Sequence, residues 1–99
     1  MAKYFLTNKA VSDLTNIWNY TLDQWSGEQA DKYYLEIISR CEYIAQIPKI
    51  GKNYEGITQD LFGLNSGRHI IFYRVISTNK IEITRILHQQ MDLKRRILE

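Results

Sequence analysis

Residues 67–88 read GRHIIFYRVISTNKIEITRILH, and this stretch decides the fold. Its two halves, residues 68–76 and 80–88, are rich in Ile, Val, Phe, Tyr and Thr, which favour strands. They flank Ser77-Thr78-Asn79, a short polar segment typical of a hairpin turn. The stretch therefore predicts a β-hairpin in the second half of the chain.

The register of this hairpin follows if Ile76 pairs with Ile81 across the turn, because His69 then faces His88 and Arg74 faces Ile83. Successive side chains alternate between the two faces of the sheet. The more apolar face is expected to meet the helices, and it carries Ile70, Phe72, Arg74, Ile76, Ile81, Ile83, Arg85 and Leu87. The mixed face is expected to bind partners, and it carries His69, Ile71, Tyr73, Val75, Glu82, Thr84, Ile86 and His88.

Two amphipathic helices are predicted before the hairpin. From residue 8 onward, apolar side chains recur at helical spacing as far as Trp25, with Thr7 or Asn8 as the cap. The segment Ser26-Gly27-Glu28-Gln29 indicates a break followed by a capping box. The second helix must end before Pro48, the only proline in the chain. Such a short break predicts an antiparallel helical hairpin.

Shorter elements complete the predicted fold. Residues 3–7 and 61–64 suggest short strands, residues 48–60 a loop, and residues 89–99 a frayed end or a terminal helical turn. The apolar side of that turn consists of Met91, Leu93, Ile97 and Leu98. The order is β-α-α-β-β-β, a single α+β domain over residues 1–99 in which the helical hairpin covers one face of a small antiparallel sheet. The other face is left for partners.

Composition narrows the function classes. The chain has 99 residues, 44% of them hydrophobic, and a single cysteine, Cys41, which excludes an internal disulfide and gives no metal-ligand framework. No leader-like segment is visible, and the longest apolar run is the four residues 70–73. A cytoplasmic protein without a membrane anchor is expected.

The charges are distributed unevenly along the chain. Residues 1–47 carry four Lys/Arg against six Asp/Glu, whereas residues 48–99 carry nine against five. The basic second half suggests either an acidic partner or a mixed solvated surface.

Three groups of residues have both a functional and a structural interpretation. His69 and His88, with Arg68 and Tyr73 nearby, have the chemistry for general acid/base cleavage of RNA, but histidines at a sheet end also serve hydrogen-bond networks. Trp18 and Trp25 lie two turns apart on one helix and suit either the core or a binding groove. Lys94-Arg95-Arg96 suits either a solvated tail or an electrostatic contact.

Two blocks of sequence resemble the ParE toxins of the RelE/ParE superfamily. The first is Gly67-Arg68-His69-Ile70-Ile71-Phe72-Tyr73-Arg74, and the second is Arg85-Ile86-Leu87-His88-x-x-Met91-Asp92. Weaker similarity runs through Ala10-x-x-Asp13-Leu14-x-x-Ile17-Trp18-x-Tyr20-Thr21 and Ile47-Pro48-x-Ile50-Gly51. The resemblance covers nearly the whole chain and implies the same β-α-α-β-β-β fold.

The resemblance implies the toxin of a bacterial type II toxin–antitoxin system that poisons DNA gyrase by binding it, without enzymatic activity, cofactor, metal or sequence-specific contact with nucleic acid. A ParD-like antitoxin would hold it inactive in a hetero-oligomer, with the C-terminal segment of the antitoxin folded onto the toxin. The residues expected to bind the antitoxin are Trp18, Trp25, Tyr33, Tyr34, Arg68, Arg74 and Arg85. Those expected to face the target are His69, Tyr73, His88, Lys94, Arg95 and Arg96.

The alternative within the superfamily is a RelE-like ribosome-dependent mRNA endonuclease, in which Arg68, Arg85 and His88 would be the catalytic counterparts. The position after His88 is Gln89, where some of those enzymes have an aromatic hydroxyl, and this favours the ParE branch. The chain also departs from the ParE pattern. It has Thr58 and Phe62 where basic side chains are expected.

Overall fold

A computed structural model describes residues 3–99, so Met1 and Ala2 of the predicted domain lie outside the described residues. The structure is of the predicted α+β class. Its elements are β1 (Lys3–Leu6), α1 (Asn8–Gln24), α2 (Gly27–Gln46), β2 (Lys52–Asn53), β3 (Phe62–Ser66), β4 (His69–Ser77), β5 (Lys80–His88) and α3 (Leu93–Leu98). The strand order in the sheet is β1-β5-β4-β3-β2.

The predicted helical hairpin is confirmed, together with its caps. Thr7 caps α1, where its hydroxyl accepts a hydrogen bond from the Ala10 amide at 3.1 Å. Ser26 caps α2 and accepts from the Gln29 amide at 3.1 Å. Such caps satisfy amides at the helix start that have no partner within the helix. Cys41 lies in the core, where burial raises the pKa of its thiol to about 12 and makes it a packing residue. No helix in residues 3–99 is long and apolar enough to cross a bilayer.

The sheet is mixed, and the prediction of an antiparallel sheet is wrong for one strand. β1 pairs in parallel with β5, from Lys3 opposite Lys80 to Leu6 opposite Ile83. The chain leaves β1 directly into α1, and α2 brings it back before the antiparallel strands begin. A helical crossover of this length allows the parallel pairing that a tight turn forbids.

The register of the β4–β5 hairpin is confirmed from His69 opposite His88 to Phe72 opposite Arg85, is wrong from Tyr73 to Val75, and is regained where Ser77 faces Lys80. Arg74 faces Glu82 rather than Ile83, because the register shifts after Phe72 and again near the turn. These shifts are β-bulges, which place an extra residue in one strand and bend it. The extra residue at the first shift is Thr84.

The bulge at Thr84 also reverses the predicted faces over part of the sheet. The core beneath the helical hairpin contains Ile71, Tyr73 and Ile86 together with Ile81 and Ile83. The bulge puts Ile83 and Ile86 on one face although they are three residues apart. The residues predicted to face the helices, Ile70, Phe72 and Leu87, lie in a second cluster instead.

The second face of the sheet is covered, so the prediction that it is left for partners is wrong. Leu61, Ile70, Phe72 and Leu87 are buried there. Tyr54 and Ile57 from the loop before β3, and Leu93 and Ile97 from α3, pack over them. The last segment is therefore a docked helix, while the predicted apolar residues Met91 and Leu98 are exposed.

Candidate functional site

An ion pair between Asp13 of α1 and Arg85 of β5 organises one end of the molecule. Nε of Arg85 donates to Oδ2 of Asp13 at 2.8 Å, and Nη2 donates to Oδ1 at 2.9 Å. The two side chains are 13% and 12% exposed. The hydrogen bond to the carboxylate is the main cause that raises the pKa of Arg85. This bidentate geometry is the strongest form of such a pair and fixes both side chains.

The same pair ties three elements together. Oδ2 of Asp13 also accepts from the backbone amide of Ile86 at 3.0 Å, and Nη1 of Arg85 donates to the carbonyl of Arg96 at 2.7 Å. Asp13 therefore supplies the acceptor that a neighbouring strand would give to β5. Arg85 is a structural cation. The free guanidinium on which its predicted antitoxin-binding and catalytic roles depend is not available.

His69 and His88 face each other across β4 and β5, with ring centroids 5.2 Å apart. Nδ1 of His69 lies 2.6 Å from the hydroxyl of Tyr33, which donates to the Ser66 carbonyl and accepts from the Arg68 amide. Nδ1 of His88 accepts from the Gln90 amide at 3.1 Å. One of the two predicted interpretations of these histidines is a hydrogen-bond network, and the structure contains it. These hydrogen bonds hold the end of the sheet in place.

Burial lowers the pKa of His69 to about 4, with a smaller contribution from His88. A neutral imidazole with such a low pKa is a poor general acid at neutral pH, since proton donors work best when their pKa lies near the working pH. His69 is therefore suited to a structural role.

The depressed pKa of His69 predicts acid destabilisation. Between about pH 6.5 and pH 4 the unfolded chain protonates this imidazole while the folded chain does not, so stability falls as the pH is lowered through that range. We expect the melting temperature of His69→Asn to fall less steeply over this range than that of the wild type. Equal slopes, or an NMR titration midpoint of His69 near 6.5, would contradict the assignment.

A cleft of about 700 Å³ lies between α1 and the end of β5. Ile17, Ile86 and Leu87 are its buried apolar residues, whereas Tyr20 and Met91 are 66% and 43% exposed. His69, His88 and the Asp13–Arg85 pair also line it. The cleft joins an apolar surface to the histidine cluster.

The aromatic residues predicted to form an antitoxin groove lie in different surroundings. Trp18 is partly buried, and its indole donates to Oδ1 of Asp31 at 3.0 Å across the hairpin. Trp25 is 75% exposed at the tip of the hairpin, and Tyr34 is 39% exposed. Tyr33 is bound to the turn between β3 and β4. Trp25 and Tyr34 remain available to a partner, while Trp18 and Tyr33 also serve the fold.

The remaining residues predicted to bind the antitoxin or the target lie in different parts of the structure. Arg68 is exposed at the β3–β4 turn, and Arg74 lies on the other face of the sheet, where it donates to Thr58 at 3.4 Å. Tyr73 is fully buried, and its hydroxyl donates to the Pro48 carbonyl, so its predicted target-facing role is corrected to a core role. The exposed basic residues of α3 are Lys94, Arg95 and Arg96.

At the two positions that depart from the ParE pattern, the side chains make contacts within the fold. Thr58 accepts the hydrogen bond from Arg74, and Phe62 stacks on Tyr73 with ring centroids 5.7 Å apart. A basic side chain at position 62 would lose this stacking.

Sequence analysis missed Asp13, Tyr20 and Met91 as site residues. Asp13 and Tyr20 belong to the motif in α1, and Met91 to the motif after β5, so the resemblance marked these positions without giving them roles. These three residues come together around one cleft only when the chain folds. Within residues 3–99, no group of three or more His, Cys, Asp or Glu side chains is arranged to hold a metal ion.

Comparison with known proteins gives consistent matches. Residues 4–93 match the family described as "ParE toxin of type II toxin-antitoxin system, parDE". Toxin ParE1 of Mycobacterium tuberculosis (strain CDC 1551 / Oshkosh) is 34% identical over 97% of this chain and 98% of its own length. Toxin ParE1 of Caulobacter vibrioides is 37% identical over 95% of this chain and 96% of its own. A solved structure titled "Chromosomal ParDE TA system from P. aeruginosa" shares the fold with a TM-score of 0.75 at 22% identity, covering 89% of this chain and 96% of that one.

Proposed function

Because the chain belongs to the ParE family of toxins in type II toxin–antitoxin systems, we propose that it binds and poisons DNA gyrase in the cytoplasm, without enzymatic activity of its own. A ParD-like antitoxin, a small protein encoded beside it, holds it inactive in a hetero-oligomer.

The proposal that the protein has no enzymatic activity is supported mainly by the hydrogen bonds of Arg85. A RelE-like nuclease would need Arg68, Arg85 and His88 to act together on a phosphate. Here the guanidinium of Arg85 is held by Asp13 and by the Arg96 carbonyl. A guanidinium that is already paired with a carboxylate stabilises the negative charge that develops on a reacting phosphate only weakly. The geometry therefore favours action by binding.

Several exposed basic and apolar side chains are available to macromolecular partners. Arg68 and the basic residues of α3 are exposed. Trp25 is a large exposed apolar side chain, the kind that anchors protein interfaces. The basic side chains suit an acidic antitoxin segment, and Lys94, Arg95 and Arg96 remain exposed for the predicted contact with the target.

Parallel assays with purified protein test the proposal. We expect supercoiling by gyrase to stop, with cleaved DNA trapped on the enzyme, while a coupled translation reaction proceeds and its mRNA keeps intact ends. Heat-denatured toxin serves as the negative control. Mapped mRNA cleavage with supercoiling unaffected would contradict the proposal and establish the RelE-like alternative.

A further inference from the structure

The side of α2 opposite its buried residues is open. Positions three and four apart share one side of a helix, and α2 has a continuous stripe of exposed residues at that spacing. The stripe is one wall of a cleft of about 740 Å³, and the β3–β4 turn at Ser66 and Gly67 is the other. We call this stripe the outer face of α2, and it consists of Lys32, Leu35, Glu36, Ser39, Arg40 and Tyr43.

The outer face has an apolar side chain on each side of its centre. Leu35 is 62% exposed and Tyr43 is 39% exposed. They lie eight residues apart, with Ser39 midway between them. Because a helix rises 1.5 Å per residue, each lies about 6 Å from Ser39 along the axis. An identical helix that runs antiparallel and is centred on Ser39 therefore brings Leu35 level with the partner's Tyr43.

The charges of the outer face match the same arrangement. Glu36 and Arg40 form no ion pair within residues 3–99. They lie on the same side of the stripe, three residues before Ser39 and one residue after it. A two-fold axis at Ser39 puts Glu36 beside the partner's Arg40, with an offset of about 3 Å along the helix axis. The symmetry makes this ion pair twice.

The remaining positions of the stripe allow a close approach. Ser39 meets its own copy on the axis, where a short side chain lets two helices pack closely. Lys32 lies level with the partner's Gln46, which has no charge to repel it. An interface about a two-fold axis requires one patch that complements itself. The outer face of α2 meets this requirement both in its apolar contacts and in its charges.

We propose that two copies of this chain associate through the outer face of α2, as a symmetric antiparallel pair of helices centred on Ser39. The occupant of the cleft beside α2 is thus α2 of a second copy. Each copy contributes one helix, so the dimer belongs to the small, transient class of interfaces, with a Kd on the order of 10 μM. The inference concerns the chain alone and does not depend on the proposed target.

Two charge-reversal variants test the ion pairs. In a dimer of Glu36→Arg, or of Arg40→Glu, the facing charges at positions 36 and 40 are alike. We expect each variant to weaken self-association by at least about tenfold in analytical ultracentrifugation. An equimolar mixture of the two variants is expected to dimerise again, because every facing pair in the mixed dimer has opposite charges.

The control for these variants is Asp23→Arg, at an exposed position on α1. It changes the net charge by the same amount as Glu36→Arg without touching the outer face of α2. We expect it to leave the Kd within about twofold of the wild-type value, as for a residue outside the interface. Melting curves will verify that all three variants are folded.

A cysteine at position 39 tests the position of the axis. Ser39→Cys puts two thiols face to face, so mild oxidation is expected to give a disulfide-linked dimer on a non-reducing gel. Cys41 is fully buried and does not compete. The matched control is Ser12→Cys, at an exposed position on α1, which is expected to stay monomeric under the same oxidation.

Three results would overturn the inference. The first is a wild-type chain that sediments as a monomer at about 100 μM, tenfold above the expected Kd. The second is a dimer that both charge reversals leave intact, since the copies would then meet through another surface. The third is a mixture of the two charge-reversal variants that stays monomeric, which would exclude the pairing of Glu36 with Arg40.

Discussion

Replacing Asp13 with Ala is expected to lower the free energy of unfolding by about 3–5 kcal/mol, the usual cost of removing one partner from a buried ion pair. The substitution leaves the nearly buried guanidinium of Arg85 without its carboxylate and the Ile86 amide without its acceptor. For a domain of this size a loss of that magnitude lowers the melting temperature by at least about 12 °C. Thermal and urea denaturation measure it.

The control for this prediction is the double variant Asp13→Leu, Arg85→Met. Apolar replacement of both partners of a buried pair is often neutral in stability. We therefore expect the double variant to recover a large part of the loss, apart from the unpaired Ile86 amide. A fall in melting temperature of less than about 4 °C for Asp13→Ala would show that the pair does not hold α1, β5 and α3 together.

Replacing Phe72 with Ala is expected to destabilise the fold by about 3–5 kcal/mol, the range found when a buried aromatic side chain is truncated. Phe72 is fully buried and packs edge-to-face on Tyr54, with ring centroids 5.0 Å apart. Its loss opens a cavity under α3 and the loop before β3. Urea denaturation, with melting curves as a second readout, measures the effect.

Ile76→Ala is the matched control, because Ile76 lies on the same strand but is 51% exposed. Its truncation is expected to cost less than about 1 kcal/mol. Equal effects of the two substitutions would contradict the finding that the second face of the sheet is a covered core, and would restore the open face predicted from sequence.

Local patterns were enough to predict the helical hairpin. The spacing of apolar residues and the caps Thr7 and Ser26 depend on interactions within one or two helical turns, so neighbouring sequence contains the information. The register from His69–His88 to Phe72–Arg85 agrees with the prediction because the shift near the turn and the shift at Thr84 offset each other.

The assignment of the sheet faces was not predictable in this way. A single extra residue at Thr84 moves Ile86 to the helical face, and no local signal distinguishes that bulge from a regular strand. The parallel pairing of β1 depends on a partner more than seventy residues away. The covering of Phe72 and Leu87 by α3 likewise depends on distant contacts.

In the candidate site, too, features within one hairpin were predictable from sequence, whereas features that join distant segments were not. The histidine pair was predicted because it lies within one hairpin, whereas the ion pair joins α1 to β5 across 72 residues and was missed. Arg85 consequently received two functional roles from sequence that its bond to Asp13 does not support. The cleft with Tyr20 and Met91 emerges only when the helical hairpin is placed against the end of the sheet.

The most direct test is DNA supercoiling by purified gyrase, measured with the toxin alone and with the toxin plus an equimolar amount of its antitoxin. The toxin alone is expected to stop supercoiling and trap cleaved DNA, and the antitoxin is expected to restore the reaction. Supercoiling that proceeds unchanged in the presence of folded toxin would contradict the proposal that this ParE-family protein acts on gyrase.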